Sequence, residues 1–153
     1  MCPSHASGDL FIDDYLPLLL ARAADAVSGE GEAALRRPGI TAPVWRVLAA
    51  LADLSGLSVT QLAKTCLLQQ PTMTKLLIEM ERNGLVRRHR DAQDRRVVRV
   101  ALTPVGKALT ADLMSMARQY EAALLSRHPR AAEIKDVLRD LIAQPGGGQE
   151  SQG

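Results

Sequence analysis

The chain has 153 residues, enough for one domain with a sizeable buried core, and an aromatic content of only 3% makes that core aliphatic. No apolar run approaches the roughly 20 residues of a membrane span, and the start "MCPSHASGDL" lacks the basic region and apolar stretch of a secretory signal, so a cytoplasmic protein with no membrane partner is expected. The formal net charge is +2, yet between Leu85 and Val100 six arginines face two aspartates, an excess of four positive charges that leaves two net negative charges on the remainder.

Such clustering costs self-repulsion, which an anionic partner relieves. The alternative is a solvated charged hairpin. Two cysteines, Cys2 and Cys66, are too few for a disulfide framework and read as reduced thiols.

In chain order, "DLFIDDYLPLLLARAADAV" places Phe11, Tyr15, Leu18, Leu19 and Ala23 at helical spacing. A first long helix is predicted, with Pro17 kinking it or marking a later start. Gly29, Gly31 and Pro38-Gly39 are the expected breaks. Thr41 is expected to cap "APVWRVLAALAD", whose buried stripe is Val44, Val47, Leu48 and Leu51. After a turn at Ser55-Gly56, Ser58 followed by Gln61 has the spacing of a capping box and opens a short helix, "VTQLAKTC".

Pro71 suits the first turn of the next helix. Its core face is Met73, Leu76, Leu77 and Met80, and the opposite face carries Pro71, Lys75, Ile78 and Arg82, flanked by Thr72 and Thr74. Asn83-Gly84 should end it. "LVRRHR" and "RRVVRVAL" read as two strands around the turn "DAQD", with Val98, Val100 and Leu102 facing the core. Thr103 and Pro104 then start a long helix toward Arg127, with Leu109, Leu113, Met116, Tyr120 and Leu124 on one side. His128-Pro129 interrupts, and "AAEIKDVLRDLIAQ" forms a last helix with Ile134, Val137, Leu138 and Leu141 on one face.

Short helix, turn, helix and basic hairpin make a winged helix-turn-helix, which reads DNA with its second helix in the major groove. The outer face of that helix opens with Gln69, Gln70, Thr72, Thr74 and Lys75, groups that hydrogen-bond to base edges and phosphates. The expected fold is mainly α with a small β-hairpin wing. The domain spans about residues 9–144, with the winged part at about 41–103, flanking helices at about 9–36 and 104–144, and flexible termini at 1–8 and 145–153. The apolar stripes of the flanking helices need a partner, and a second subunit supplies one.

The segments "WRVLAAL", "TQLAK" and "QPTMTKLLIEMERNGLVRRHRDAQDRRVVRVALTPVGKAL" resemble the core of the MarR family of bacterial transcription regulators. The likeness covers roughly Asp9 to Gln144 and is strongest from Trp45 to Leu109, whereas the stretch from Gly29 to Leu35 is richer in glycine than the family pattern. The resemblance implies a homodimer on a near-palindromic operator, usually a repressor, often released by a small aromatic or phenolic ligand between its dimerisation and DNA-binding parts. It places Gln70, Thr72, Thr74 and Lys75 on the recognition helix. Asp94, Arg95 and Arg96 fall on the wing, with Arg96 entering the minor groove and Asp94 helping to hold the wing. The candidate DNA-binding set is thus Gln69, Gln70, Pro71, Thr72, Thr74, Lys75, Arg87, Arg88, Arg90, Asp94, Arg95 and Arg96.

Tyr15, Arg22, Trp45 and Arg46 are the candidate effector residues, since an arginine beside aromatic rings holds an aromatic carboxylate. The alternative is that Trp45 is core and the arginines pair with Asp13, Asp14 or Asp25. Cys2 and His5 do not make a metal site by themselves, and His89 and His128 are distant in sequence. No cofactor is expected, and no serine-histidine-acid set or phosphate-cradling glycine loop supports an enzyme. Two other readings stay open: a redox-responsive regulator of the same fold using Cys66, and a winged-helix module that binds protein instead of DNA.

Overall fold

The computed structural model describes residues 10–35 and 37–144, so the expectations for Cys2, His5 and the terminal segments lie outside the described residues. The elements are α1 (Phe11–Asp14), α2 (Leu16–Ala34), α3 (Ala42–Asp53), β1 (Leu57–Ser58), α4 (Val59–Thr65), α5 (Gln70–Arg82), β2 (Val86–Arg90), β3 (Val98–Leu102), α6 (Pro104–Arg127) and α7 (Ala131–Ala143). Helices dominate, and the strands form one antiparallel sheet in the order β1-β3-β2, the expected winged helix-turn-helix with one extra strand. Two compact units share the chain, one as far as Ala117 and one from Arg118, with the boundary inside α6.

The first predicted helix is two. Tyr15 is extended (φ −75°, ψ 109°), and its carbonyl accepts from the N–H of Leu18 and Leu19, so Pro17 sits in the first turn of a new helix where its missing N–H is harmless. The expected breaks at Gly29 and Gly31 are absent, because α2 continues through both to Ala34. Glycine costs a helix only about 1 kcal/mol against alanine, and Glu30, Glu32, Ala33 and Ala34 around them favour helix. The turn falls at Pro38-Gly39 as expected, where Gly39 has φ +79°. Thr41 occupies the N-cap of α3 but makes no side-chain cap bond.

The core of the first unit gathers Val47 and Leu48 from α3, Leu62 from α4, Met73, Leu77 and Met80 from α5, Val86 and Val100 from the sheet, and Leu113 from α6. Helical and strand periodicity selected all of these except Leu62 and Val86. Two local devices fix the helix-turn-helix within this unit. The capping box forms, with the Ser58 hydroxyl accepting from the Gln61 N–H at 3.1 Å and the Gln61 side chain accepting from the Ser58 N–H at 2.9 Å. Helix α5 ends in a Schellman motif: Gly84 at φ +69° donates to the Glu81 carbonyl, and Leu85 donates to that of Met80.

Strand β1 escaped the sequence reading, since two residues show no alternation. It pairs with β3 through Leu57 opposite Val100 and Ser58 opposite Arg99. The hairpin loop is also longer than "DAQD". Strand β3 begins at Val98, and Arg95 and Arg96 belong to the connecting loop instead of the predicted strand. At the start of α6, Thr103 accepts from the Gly106 N–H at 3.0 Å, the cap that the sequence suggested. Gly106 itself packs against backbone: a Cβ there would lie 2.0 Å from the Leu85 carbonyl oxygen.

The second unit holds the end of α6 and α7. Helix α6 stops at Arg127 before His128-Pro129, and Lys135 reaches Glu121 at 2.8 Å. Helix α7 contains no buried residue, and Ile134, Val137 and Leu141 are exposed.

Candidate nucleic-acid interface

Helix α5 is anchored through its buried methionine and leucine face, which leaves Gln69, Gln70, Pro71, Thr72, Thr74 and Lys75 exposed on and beside its first turns. No acidic residue occupies its first turn, so the positive end of the helix dipole is not neutralised from within. The Thr74 hydroxyl donates to the Gln70 carbonyl at 3.0 Å, and the Gln70 amide donates to the Thr60 hydroxyl at 2.7 Å. Gln69, Thr72 and Lys75 have no side-chain partner among the described residues.

The wing sorts the arginines into two groups. Strand alternation puts Val86, Arg88 and Arg90 on one face of β2, the face of buried Val86, and Arg87 and His89 on the other. Arg88 accordingly turns back onto α5. Its Nε and Nη2 donate to one Glu81 carboxylate oxygen at 2.9 and 2.8 Å, and its backbone N–H donates to the other oxygen at 3.0 Å. Those three bonds hold the Glu81 carboxyl below its ordinary pKa. Arg90 donates to the Arg95 carbonyl at 2.8 Å, which braces the loop tip from within.

Arg99 is the wing's main brace and was counted in the arginine cluster but not assigned a role. Its Nε donates to Asp91 and its Nη1 donates to the Gly56 carbonyl at 2.8 Å, tying the loop to the turn before β1. Asp91 also accepts from the backbone N–H of Gln93 and Asp94, and the Arg99 bond followed by these two lowers its pKa to about 2. Asp94 accepts from the Arg96 N–H at 3.0 Å, so the second wing aspartate fixes the backbone that carries Arg96. The guanidinium groups of Arg87, Arg95 and Arg96 have no partner among the described residues, and all three are exposed. Glu81, Asp91 and Arg99 were not legible as site residues, because the Arg88–Glu81 and Arg99–Asp91 pairs join residues seven and eight apart.

The four candidate effector residues are not all joined by direct contacts. Tyr15 stacks on Phe11 with ring centroids 5.0 Å apart, and Arg22 pairs with Asp13 at 3.3 Å. Trp45 is half-buried against the core, and Arg46 is exposed beside Cys66. No hydrogen bond, ion pair or ring contact among the described residues joins Tyr15 or Arg22 to Trp45 or Arg46, which leaves open whether the four line one cleft. Arg22 therefore follows the alternative reading, an internal pair. Cys66 is 2% exposed, and burial raises its thiol pKa despite the nearby Arg46, so the reactive thiolate is disfavoured. No group of three metal-ligating side chains occurs among the described residues.

The chain is similar in fold to a solved MarR family transcriptional regulator from Silicibacter pomeroyi DSS-3, which is 41% identical, with a TM-score of 0.79 over 88% of this chain and 97% of that one. The chain belongs to the MarR family. Within this MarR family protein, residues 39–97 match the family profile, the stretch that carries α3 to the wing. Over 141 residues it is 28% identical to the homoprotocatechuate degradative operon repressor of Escherichia coli, covering 90% of this chain and 94% of that protein. It is also similar to the transcriptional repressor CouR, solved bound to a 23-mer DNA duplex, at 26% identity and a TM-score of 0.73 over 86% and 92% of the two chains. These relatives are transcription regulators, not enzymes. No helix among the described residues is long and apolar enough to cross a membrane.

Proposed function

We propose that this protein is a homodimeric, sequence-specific DNA-binding repressor whose hold on its operator is weakened by a small aromatic or phenolic acid. One observation carries the DNA reading: three exposed arginines without partners among the described residues, Arg87, Arg95 and Arg96, stand on the wing that follows a helix whose first turns expose Gln69, Thr72, Thr74 and Lys75. Phosphate binding relieves the wing's self-repulsion, and the amide, hydroxyl and ammonium groups on α5 meet base edges in the major groove. Arg88, Arg90 and Arg99 serve the interface indirectly by holding the wing, since each is bonded within the chain.

Dimerisation follows from Leu16, Leu19 and Leu20 on α2 and Val137 and Leu141 on α7, apolar side chains left exposed. A two-fold dimer sets two half-sites about one helical turn apart, roughly 10 base pairs. The effector reading rests on the family resemblance, with Trp45 and Arg46 as its candidate contacts; Tyr15 and Arg22 are engaged by Phe11 and Asp13. The E. coli relative represses an operon for degrading homoprotocatechuate, a phenolic acid. By linkage, such a ligand binds the free protein more tightly than the DNA-bound protein. The buried thiol of Cys66 gives no support to redox control.

Sequencing the fragments that the protein retains from its own genome identifies the operator, and titration across a salt series tests the contacts. Three phosphate-binding groups per subunit give about six per dimer and a slope of log affinity against log salt of roughly −5. No enriched fragment, or binding indifferent to salt, would favour a protein-binding module.

A further inference from the structure

We infer that Thr60, outside the recognition helix, is a positioning residue that sets the base preference of Gln70; the inference rests on the DNA-binding reading above. Gln70 is the first residue of α5, and its side-chain amide donates to the Thr60 hydroxyl at 2.7 Å. Both side chains are exposed, so this bond does little for folding stability. Its effect is on orientation. A free glutamine side chain has substantial rotamer entropy to lose when it docks on a base. Holding one end of the amide in advance removes part of that loss.

The support at the other end is stiff. Thr60 is the second residue of α4, between Ser58 and Gln61, whose reciprocal capping bonds fix that turn. Its β-branched side chain has few rotamers. The Gln70 backbone is held as well, because its carbonyl accepts from the Thr74 hydroxyl. Spending one N–H on Thr60 leaves the amide with one N–H and its carbonyl oxygen. That donor and acceptor pair matches N7 and the N6 amino group of adenine in the major groove.

The experiment is selection of a randomised double-stranded DNA library on the full-length protein and its variants, with sequencing and a thermal melt for each. The parent should enrich an adenine at one position of each half-site, and Gln70→Ala should erase that preference while leaving the others. Thr60→Val, which keeps shape but loses the hydroxyl, should reduce the same preference by about three- to tenfold, and Thr60→Ser should retain it. The melts should coincide. An equal loss at every position in Thr60→Val, an unchanged preference, or a lowered melt without a change in preference would each overturn the inference. If the parent enriches no sequence, the DNA-binding reading fails and this inference fails with it.

Discussion

The segment from α3 to β3 and the terminal helices spend their apolar residues in opposite ways. In the former, Val47, Leu48, Leu62, Met73, Leu77 and Val100 are fully buried within one chain. Helices α1, α2 and α7 contain no buried residue, although Phe11 is 75% exposed and Val137 57%. A stripe that periodicity makes apolar and that one chain leaves uncovered points to a second chain. The winged helix-turn-helix thus buries its core within one chain, and the proposed dimer would cover the apolar faces of the terminal helices.

Gly106→Ala gives the largest expected effect on the packed region. The added carbon meets the Leu85 carbonyl, backbone that has no flexible end to move aside and that already accepts from the Thr103 N–H. A loss of about 3 kcal/mol in urea unfolding is expected. An unchanged midpoint would remove the docking of α6 on Leu85 from the account. On the terminal side, Val137→Glu should raise the dimer dissociation constant on the order of a hundredfold while helical content persists, because it sets a charge in the middle of the exposed apolar face of α7. Sedimentation that still finds a dimer at micromolar concentration would place the interface elsewhere.

A smaller change sharpens the packed side. Leu67 follows α4 at φ +56° and is 85% exposed, in a Schellman turn where Leu67 donates to Lys64 and Leu68 to Ala63. The left-handed conformation costs a leucine about 1 kcal/mol and glycine almost nothing. Leu67→Gly should therefore stabilise the protein by about 1 kcal/mol in thermal unfolding, and a destabilised variant would show that the side chain packs.

Acid should affect the wing least. Asp91 titrates at about 2 instead of its ordinary 3.8, so its contribution is complete above pH 3.8 and is lost as pH falls through about 2. The Arg99 Nε–H resonance should stay constant from pH 7 to 4 and shift with a midpoint near 2. A midpoint near 3.8 would mean that the Arg99 pair does not hold the wing in solution.

Much of the fold was legible because its signals are local. Met73, Leu77 and Met80 share one face by helical repeat, Ser58 and Gln61 lie three residues apart, and Asn83-Gly84 closes α5 with its own neighbours. What the sequence hid depends on distant partners. Arg88 and Arg96 look alike in a run of arginines, yet strand alternation turns Arg88 toward Glu81, seven residues earlier, and leaves Arg96 at the loop tip. Arg22 reaches Asp13 across the helix break at Tyr15, which no periodicity displays. Gly29 and Gly31 misled in the opposite direction, since a weak local penalty lost to the helix around them.

The most direct test of the division between partnered and free arginines is a DNA titration of Arg96→Ala beside its thermal melt, with Arg99→Ala for comparison. Arg96 sits on a loop fixed by Asp94 and makes no side-chain bond among the described residues. Its loss should cost about 1–3 kcal/mol of binding per half-site and leave the melt unchanged, as expected of a guanidinium in a narrow minor groove. Arg99→Ala should lower the melt as well as the binding, because it releases both Asp91 and Gly56. An Arg96→Ala protein that binds operator like its parent, or that fails to fold, would contradict the account and make the wing a structural hairpin.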